Sequence, residues 1–174
     1  MDPERQLDDA EIALTIRSLQ RDLREGDVTR QREAANSLYE LCLQAKARAA
    51  AAVPALLDCI DHPDEKIAES GQWGLHWCAP ASIEPLIGCL ASARPATRRR
   101  ACSALGGIGE NAGDAAPALR RLLDDPVSEV RQRAAWALGL IRDTAKVTVD
   151  ALFVMAEASS APERSSALHA LGRR

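Results

Sequence analysis

The chain contains blocks of similar sequence, each with apolar residues at helical spacing. Residues 53–78 (VPALLDCIDHPDEKIAESGQWGLHWC) align without a gap with residues 116–141 (APALRRLLDDPVSEVRQRAAWALGLI). Residues 83–108 (IEPLIGCLASARPATRRRACSALGGI) align with both after a one-residue deletion, and residues 161–174 match the second half again. Repetition of this kind predicts a stack of similar units, each too small to bury its apolar face alone.

Proline marks the first helix of each block. Pro54 and Pro117 lie near its start, where the missing backbone N–H costs little. Pro63 and Pro126 lie just beyond its end, because the residue before a proline disfavours the helical conformation. Each block therefore predicts a helix, a short turn and a second helix.

The second helix of a block carries its apolar side chains on one face. Val130, Ala134, Leu138 and Ile141 fall on a single stripe at helical spacing. The composition, 47% hydrophobic but only 3% aromatic, favours close-packed helices over strands. The predicted fold class is all-α. Close approach of helix backbones is further predicted where glycine recurs inside the second helices, at Gly106, Gly139 and Gly172.

Charge and cysteine content narrow the class of protein. Residues 1–90 carry 9 basic and 16 acidic side chains, whereas residues 91–142 carry 9 and 5. We interpret these blocks as solvated helix faces, with an electrostatic dipole that orients a partner as the alternative. The five cysteines include no C-x-x-C pair, so we expect mostly buried free thiols rather than a disulfide framework or a zinc site.

The location of the protein is predicted from two further features. No apolar run is long enough to span a membrane. The start of the chain, MDPERQLDDAE, is acidic and polar, unlike a signal peptide. We therefore expect a cytoplasmic protein.

The pattern DP-x-x-x-VR-x-x-AA-x-ALG-x-I, at residues 125–141, resembles the HEAT repeat, especially its short bacterial and phycobilisome-lyase-like forms. Ankyrin and tetratricopeptide repeats have similar lengths, but their T-P-L-H and W-x-x-L-G-x-x-Y motifs are absent. The resemblance implies a right-handed α-solenoid of about five helix–turn–helix repeats in a single domain, residues 1–174, with approximate units 9–50, 51–81, 82–113, 114–145 and 146–174.

The resemblance also implies a role for one recurring arginine. In HEAT proteins the arginine near the start of the second helix bonds to carboxylates of the turns and supports the stack. Arg98, Arg131 and Arg164 hold that place, and we expect them to be structural. Ala68 interrupts the series in the second unit.

One face of the second helices is expected to face solvent, opposite the buried stripe that is centred on Ala134. The HEAT resemblance implies that this face lines a concave binding surface. We predict that a partner binds through the residues at these positions, which are Arg32, Asn36, Tyr39, Glu69, Trp73, His76, Arg99, Ser103, Gln132, Trp136 and Asp143.

Aromatic residues are concentrated on this face. Trp73 and Trp136 occupy the same repeat position two units apart, and we expect both to be exposed, as the walls of a cleft. Ser103 and Gly106 lie between them in sequence, and their small size predicts that the base of the cleft is low. Trp77 falls on a flank that is exposed or partly buried. The alternative is a shifted repeat register, in which the rings complete the core.

The sequence contains no recognised catalytic or metal-binding motif. H-E-x-x-H, G-x-S-x-G and phosphate-binding glycine loops are absent, and the three histidines lie in different units. HEAT-like deoxyhypusine hydroxylases use His-Glu pairs, and no histidine here is followed by glutamate. We therefore expect no enzyme activity, no metal and no cofactor.

The predicted function is a protein–protein interaction module, acting as an adaptor, a scaffold or an immunity-like inhibitor, with another protein as its partner. One alternative is a nucleic-acid binder similar to HEAT-like alkylpurine DNA glycosylases, with Trp73, Trp136 and Asp143 in the cleft. The net charge of −3 disfavours it, because nucleic-acid binding depends on phosphate neutralisation. A bilin lyase or cofactor chaperone is a further alternative. No membrane partner is expected.

Overall fold

The regular structure of the chain is helical throughout the residues that the computed structural model describes, 8–158 and 160–172. The α-helices of this part of the chain are α1 (Asp9–Glu25), α2 (Val28–Ala45), α3 (Val53–Ile60), α4 (Glu65–Trp77), α5 (Ile83–Cys89), α6 (Pro95–Ile108), α7 (Ala116–Arg121), α8 (Ser128–Ile141), α9 (Lys146–Ala158) and α10 (Ala161–Gly172). Short 3-10 helices occupy Lys46–Ala52, Gly109–Ala115 and Leu122–Asp124. The all-α prediction is confirmed.

The helices form consecutive pairs, and each first helix packs on the second helix of its own pair. The chain comprises two compact units, with the division between Ser82 and Ile83. In the first unit, α2 packs on α4. In the second unit, α6 packs on α8 and α8 packs on α10. Within each unit, therefore, the second helices of successive repeats are neighbours.

Helix starts follow local sequence. Asp8, Asp27 and Asp64 cap α1, α2 and α4, and each carboxylate accepts a hydrogen bond from a backbone N–H of the first turn. Such a cap stabilises a helix by about 1 kcal/mol. Pro54 and Pro117 lie in the first turn of α3 and α7, as predicted.

The core consists of small and aliphatic side chains. Val130, Ala134, Leu138 and Ile141 are all buried, which confirms the stripe predicted for α8. The cysteines follow the same rule, because all five are free and only Cys89 is partly exposed. None of the described helices is long and apolar enough to cross a membrane.

Two of the recurring arginines form the bonds that the family resemblance implies. Arg98 donates from Nε to Oδ2 of Asp125 at 2.7 Å and from Nη1 to the carbonyl of Ser92 at 2.8 Å. Arg131 donates from Nε to Oε1 of Glu163 at 2.6 Å. These bonds join α6 to the turn before α8, and α8 to α10. The structural role predicted for both arginines is confirmed.

Glycine marks close helix contacts at two of the three predicted positions. A Cβ on Gly139 would lie 2.6 Å from the Cα of Ala170, so α8 and α10 meet almost backbone to backbone. A Cβ on Gly106 would lie 2.6 Å from Cζ3 of Trp136. Gly172 has open space within 4 Å, so the prediction was wrong there.

Candidate functional site

The predicted binding residues fall into one group in each unit. The first unit carries Arg32, Asn36 and Tyr39 on α2 with Glu69, Trp73 and His76 on α4. The second unit carries Arg99 and Ser103 on α6, Gln132 and Trp136 on α8, and Asp143 just beyond α8. The cleft expected between Trp73 and Trp136 would involve both units, and it stays a prediction.

In the first unit, α2 and α4 line an open groove with a volume of about 590 Å³. The groove brings together most of the residues predicted for this unit and adds three that sequence reasoning missed. The predicted ones are Arg32, Asn36, Tyr39, Glu69 and Trp73, and the additional ones are Glu33, Lys66 and Ser70. We call this feature the α2–α4 groove. Glu33 and Ser70 adjoin predicted positions in sequence, and Lys66 lies one helical turn before Glu69, which is the signal that would have found them.

Trp73 is the largest apolar side chain of the groove. It is 44% exposed, whereas Gly74 and Leu75, the next residues of α4, are buried. Helical geometry explains the difference, because successive side chains point about 100° apart and only part of each turn faces the core. Trp73 therefore faces solvent, as the repeat register predicted.

Trp136 holds the equivalent position in the second unit but is only partly exposed. Its ring packs on Gly106 of the preceding second helix, where the missing side chain leaves room. The guanidinium of Arg133 lies 5.2 Å from the centre of the same ring. Gly106 is therefore not an open floor beside Trp136, as the sequence suggested, but the surface on which Trp136 packs.

The two tryptophans differ because their neighbours differ. In the repeat alignment, Tyr39 of the first unit occupies the same position as Gly106. Tyr39 carries a phenol ring where Gly106 has no side chain. Trp73 therefore has no equivalent place to pack, and it lies exposed in the α2–α4 groove together with Tyr39.

His76 lies between two indole rings. Its ring is edge-on to Trp77, with centroids 4.6 Å apart, and edge-on to Trp73 at 6.3 Å. Nδ1 is buried without a hydrogen-bond partner. Burial lowers the pKa of His76, which favours the neutral ring. His76 therefore supports the aromatic side chains of α4 and does not line the groove, while Trp77 is half-buried.

Arg32 is held by an ion pair within the unit. Its Nη2 lies 2.6 Å from Oδ2 of Asp64, the N-cap of α4. The hydrogen bonds from Arg32 lower the pKa of Asp64 to about 2. The pair spans 32 residues, the same separation as Arg131 and Glu163. This recurring separation is a signal that sequence reasoning overlooked.

Two predicted residues have structural roles instead of exposed ones. Ser103 is 5% exposed and its hydroxyl donates to the carbonyl of Arg99 at 3.1 Å, so it is not on the accessible surface. Asp143 accepts hydrogen bonds from Arg120, at 2.7 Å, and from the hydroxyl of Thr148. Its carboxylate thereby links Arg120 of α7 with Thr148 of α9.

The remaining predicted residues stay at the surface. Asn36 is exposed and its amide donates to Oε1 of Glu40 at 2.8 Å. Glu69 is exposed, and Arg99 and Gln132 are partly exposed. Among residues 8–158 and 160–172, no three His, Cys, Asp or Glu side chains are grouped to hold a metal ion.

Comparison with known proteins places this arrangement among helical repeats. The family model described as HEAT repeats matches residues 83–172. A chain of the CpcE–CpcF complex of phycocyanin lyase from Nostoc sp. PCC7120 is similar in structure, with a TM-score of 0.67 at 20% identity, over 91% of this chain and 99% of that one. No curated protein matches the sequence.

Two further solved structures have the same kind of fold. A chain from a structure of microtubule plus-end tracking by XMAP215, CLIP-170 and EB1 has a TM-score of 0.68 at 16% identity, over 97% of this chain and 77% of that one. A designed armadillo repeat protein in complex with the peptide (KR)4 has a TM-score of 0.64 at 18% identity, over 95% and 86%.

Proposed function

Because the chain belongs to the HEAT repeat family, we propose that it is a non-catalytic protein-interaction module, an adaptor, a scaffold or an immunity-like inhibitor in the cytoplasm. Stacked repeats commonly bind through extended surfaces that their helices line. The proposed binding surface is the α2–α4 groove in the first unit and, in the second, the face of α6 and α8 that carries Arg99, Gln132 and Trp136. The proposed partner is another protein, not a nucleic acid or a membrane.

One observation carries the proposal: Trp73 is 44% exposed within an open groove that also contains Tyr39 and charged side chains. Tryptophan, tyrosine and arginine are the residue types that most often dominate the binding energy of interfaces. Covering an exposed apolar side chain is favourable in proportion to the area removed from water. Covering Trp73 with a partner therefore stabilises the complex relative to the separate proteins.

The solved structures support a binding role in general terms. The designed armadillo repeat protein holds a peptide on the same kind of fold. Fold similarity alone does not identify a partner, so the groove residues have to be tested directly.

The test selects peptides from a random phage-displayed library on the full chain, then measures their affinity for Trp73→Ala and Phe153→Ala. Phe153 is a matched control, because it is 53% exposed on α9, a first helix of the second unit. We expect Trp73→Ala to weaken binding about thirtyfold, as a hot-spot residue does, and Phe153→Ala to leave it unchanged.

Thermal unfolding of both variants separates binding from stability. Replacement of a side chain as exposed as Trp73 is expected to change the free energy of unfolding by less than about 1 kcal/mol. Selected peptides that bind Trp73→Ala as tightly as the natural chain contradict the proposal, and so does a selection that yields no binder.

A further inference from the structure

The second unit shows how a tryptophan at this repeat position is covered. Arg133, three residues before Trp136 on α8, places its guanidinium 5.2 Å from the centre of the ring. A cation over an aromatic face is attracted by the negative charge of that face. Trp136 thus receives a cation from its own helix.

The first unit has no basic residue at the equivalent repeat position. The repeat alignment places Ser70 at the position of Arg133, three residues before Trp73. Ser70 is short, and its hydroxyl donates to the carbonyl of Lys66 at 3.0 Å. His76, the ring edge-on to Trp73, has a pKa lowered by burial, so it does not supply a positive charge at neutral pH.

The groove contains two carboxylates that can attract a cation beside Trp73. Glu69 lies on α4 one turn before Trp73, at the spacing that brings side chains together, and Glu33 faces the groove from α2. The positive charge of Arg32 is matched by Asp64 at 2.6 Å. Lys66 is seven residues before Trp73, about 10 Å along the helix axis.

From these observations we infer that the α2–α4 groove binds a basic side chain of the partner protein, preferably arginine. The guanidinium stacks on Trp73, in the place that Arg133 takes on Trp136, and pairs with Glu69 and Glu33. Arginine fits better than lysine because its planar, weakly hydrated cation stacks on aromatic rings. The inference rests on the proposed binding role and adds the chemistry of the partner.

The test compares two capped peptides, one of alternating arginine and glycine and one in which citrulline replaces arginine. Citrulline keeps the shape of the side chain and removes its charge. Binding to the full chain is followed by NMR at the indole N–H of Trp73, which is assigned with Trp73→Phe. We expect the arginine peptide to bind about three- to thirtyfold more tightly, the range that cation–π contacts support.

A substitution that adds a positive charge next to Trp73 gives a second test. Ser70→Arg copies the arrangement of Arg133 and Trp136, so the new arginine should compete with the peptide for Trp73. The affinity for the arginine peptide should then fall about three- to thirtyfold. Ser18→Arg, at an exposed position on α1 of the same unit, adds the same charge elsewhere and serves as the control. Equal affinity for the two variants would overturn the inference.

The outcomes separate this inference from the proposed binding role. Equal binding of the citrulline peptide, or tighter binding of a glutamate–glycine peptide or of single-stranded DNA, overturns the inference. Library-selected peptides that depend on Trp73 but lack basic residues also overturn it and leave the binding role intact. If no selected peptide depends on Trp73, both proposals fail.

Discussion

Trp73 and Trp136 occupy the same repeat position, and single neighbouring residues determine how differently they are covered. Gly106 leaves room for Trp136, and Arg133 lies over its ring. Tyr39 and Ser70 hold the corresponding positions around Trp73, which remains 44% exposed. Trp73 is therefore the tryptophan of this repeat position that keeps the larger exposed fraction.

The ion pairs of individual arginines differ in how far they are exposed to solvent. The side chains of Arg98 and Asp125 are only 11% and 3% exposed, whereas those of Arg32 and Asp64 are 44% and 16% exposed. Removing one charge of a buried pair leaves the other uncompensated, which costs about 3 kcal/mol or more. An exposed pair contributes far less, because water and salt screen it.

We therefore predict that Asp125→Asn lowers the free energy of unfolding by about 3 kcal/mol, and that Asp64→Asn lowers it much less. Asparagine is as good an N-cap as aspartate, so the second change keeps the cap of α4 and removes only the charge. Urea unfolding of both variants measures the difference. Equal losses would contradict the assignment of Arg98 and Asp125 as a buried structural pair.

At the scale of helices, close contacts depend on residues without side chains. Gly139 brings α8 against α10, where an added Cβ would lie 2.6 Å from the Cα of Ala170. This atom belongs to the backbone of α10, so it cannot move aside without moving the helix. Gly88, near the end of α5, has nothing within 4 Å of an added Cβ.

These surroundings predict opposite effects for the same substitution. Alanine is favoured over glycine within a helix by about 1 kcal/mol, so Gly88→Ala should leave stability unchanged or raise it slightly. Gly139→Ala should destabilise the protein by about 1–3 kcal/mol, as overpacking does. Thermal and urea unfolding distinguish the two, and a stabilised Gly139→Ala variant would show that α8 and α10 are packed less closely.

At the scale of the whole molecule, carboxylates that bind neighbouring repeats make stability depend on pH. Hydrogen bonds from Ser160 and Arg131 hold the pKa of Glu163 at about 2, and those from Arg32 hold the pKa of Asp64 at about 2. Both pKa values lie below those of the unfolded chain, which are about 4. Between these values the unfolded chain binds more protons, so stability is lost as pH falls.

We predict that the free energy of unfolding declines slightly as the pH falls through about 6.5, because burial lowers the pKa of His76, and declines further between about pH 5 and about pH 2. Glu163→Gln should make the decline shallower, because it removes one of the titrating groups. Glu157→Gln, an exposed carboxylate on α9, is the control. Urea unfolding at several pH values measures the slopes, and identical slopes for both variants would exclude Glu163 as a source of the effect.

The sequence by itself determined the features that repeat along the chain. Periodic apolar positions predicted the helix pairs and the stripe of Val130 and Leu138, and proline predicted the starts of the first helices. The family pattern identified Arg98 and Arg131 as structural. These predictions succeeded because a helix presents its side chains at a constant angle, so spacing alone indicates which residues face the core.

The tertiary structure alone decided how each surface residue is covered. Ser103 and Trp136 lie on the predicted face, yet Ser103 is buried and Trp136 packs on Gly106. Arg32 and Asp143 are polar residues of the same series, yet both are held by ion pairs. Spacing within one helix gives the direction of a side chain, but exposure depends on the volume and charge of residues about one repeat away. Those neighbours meet only when the helices pack.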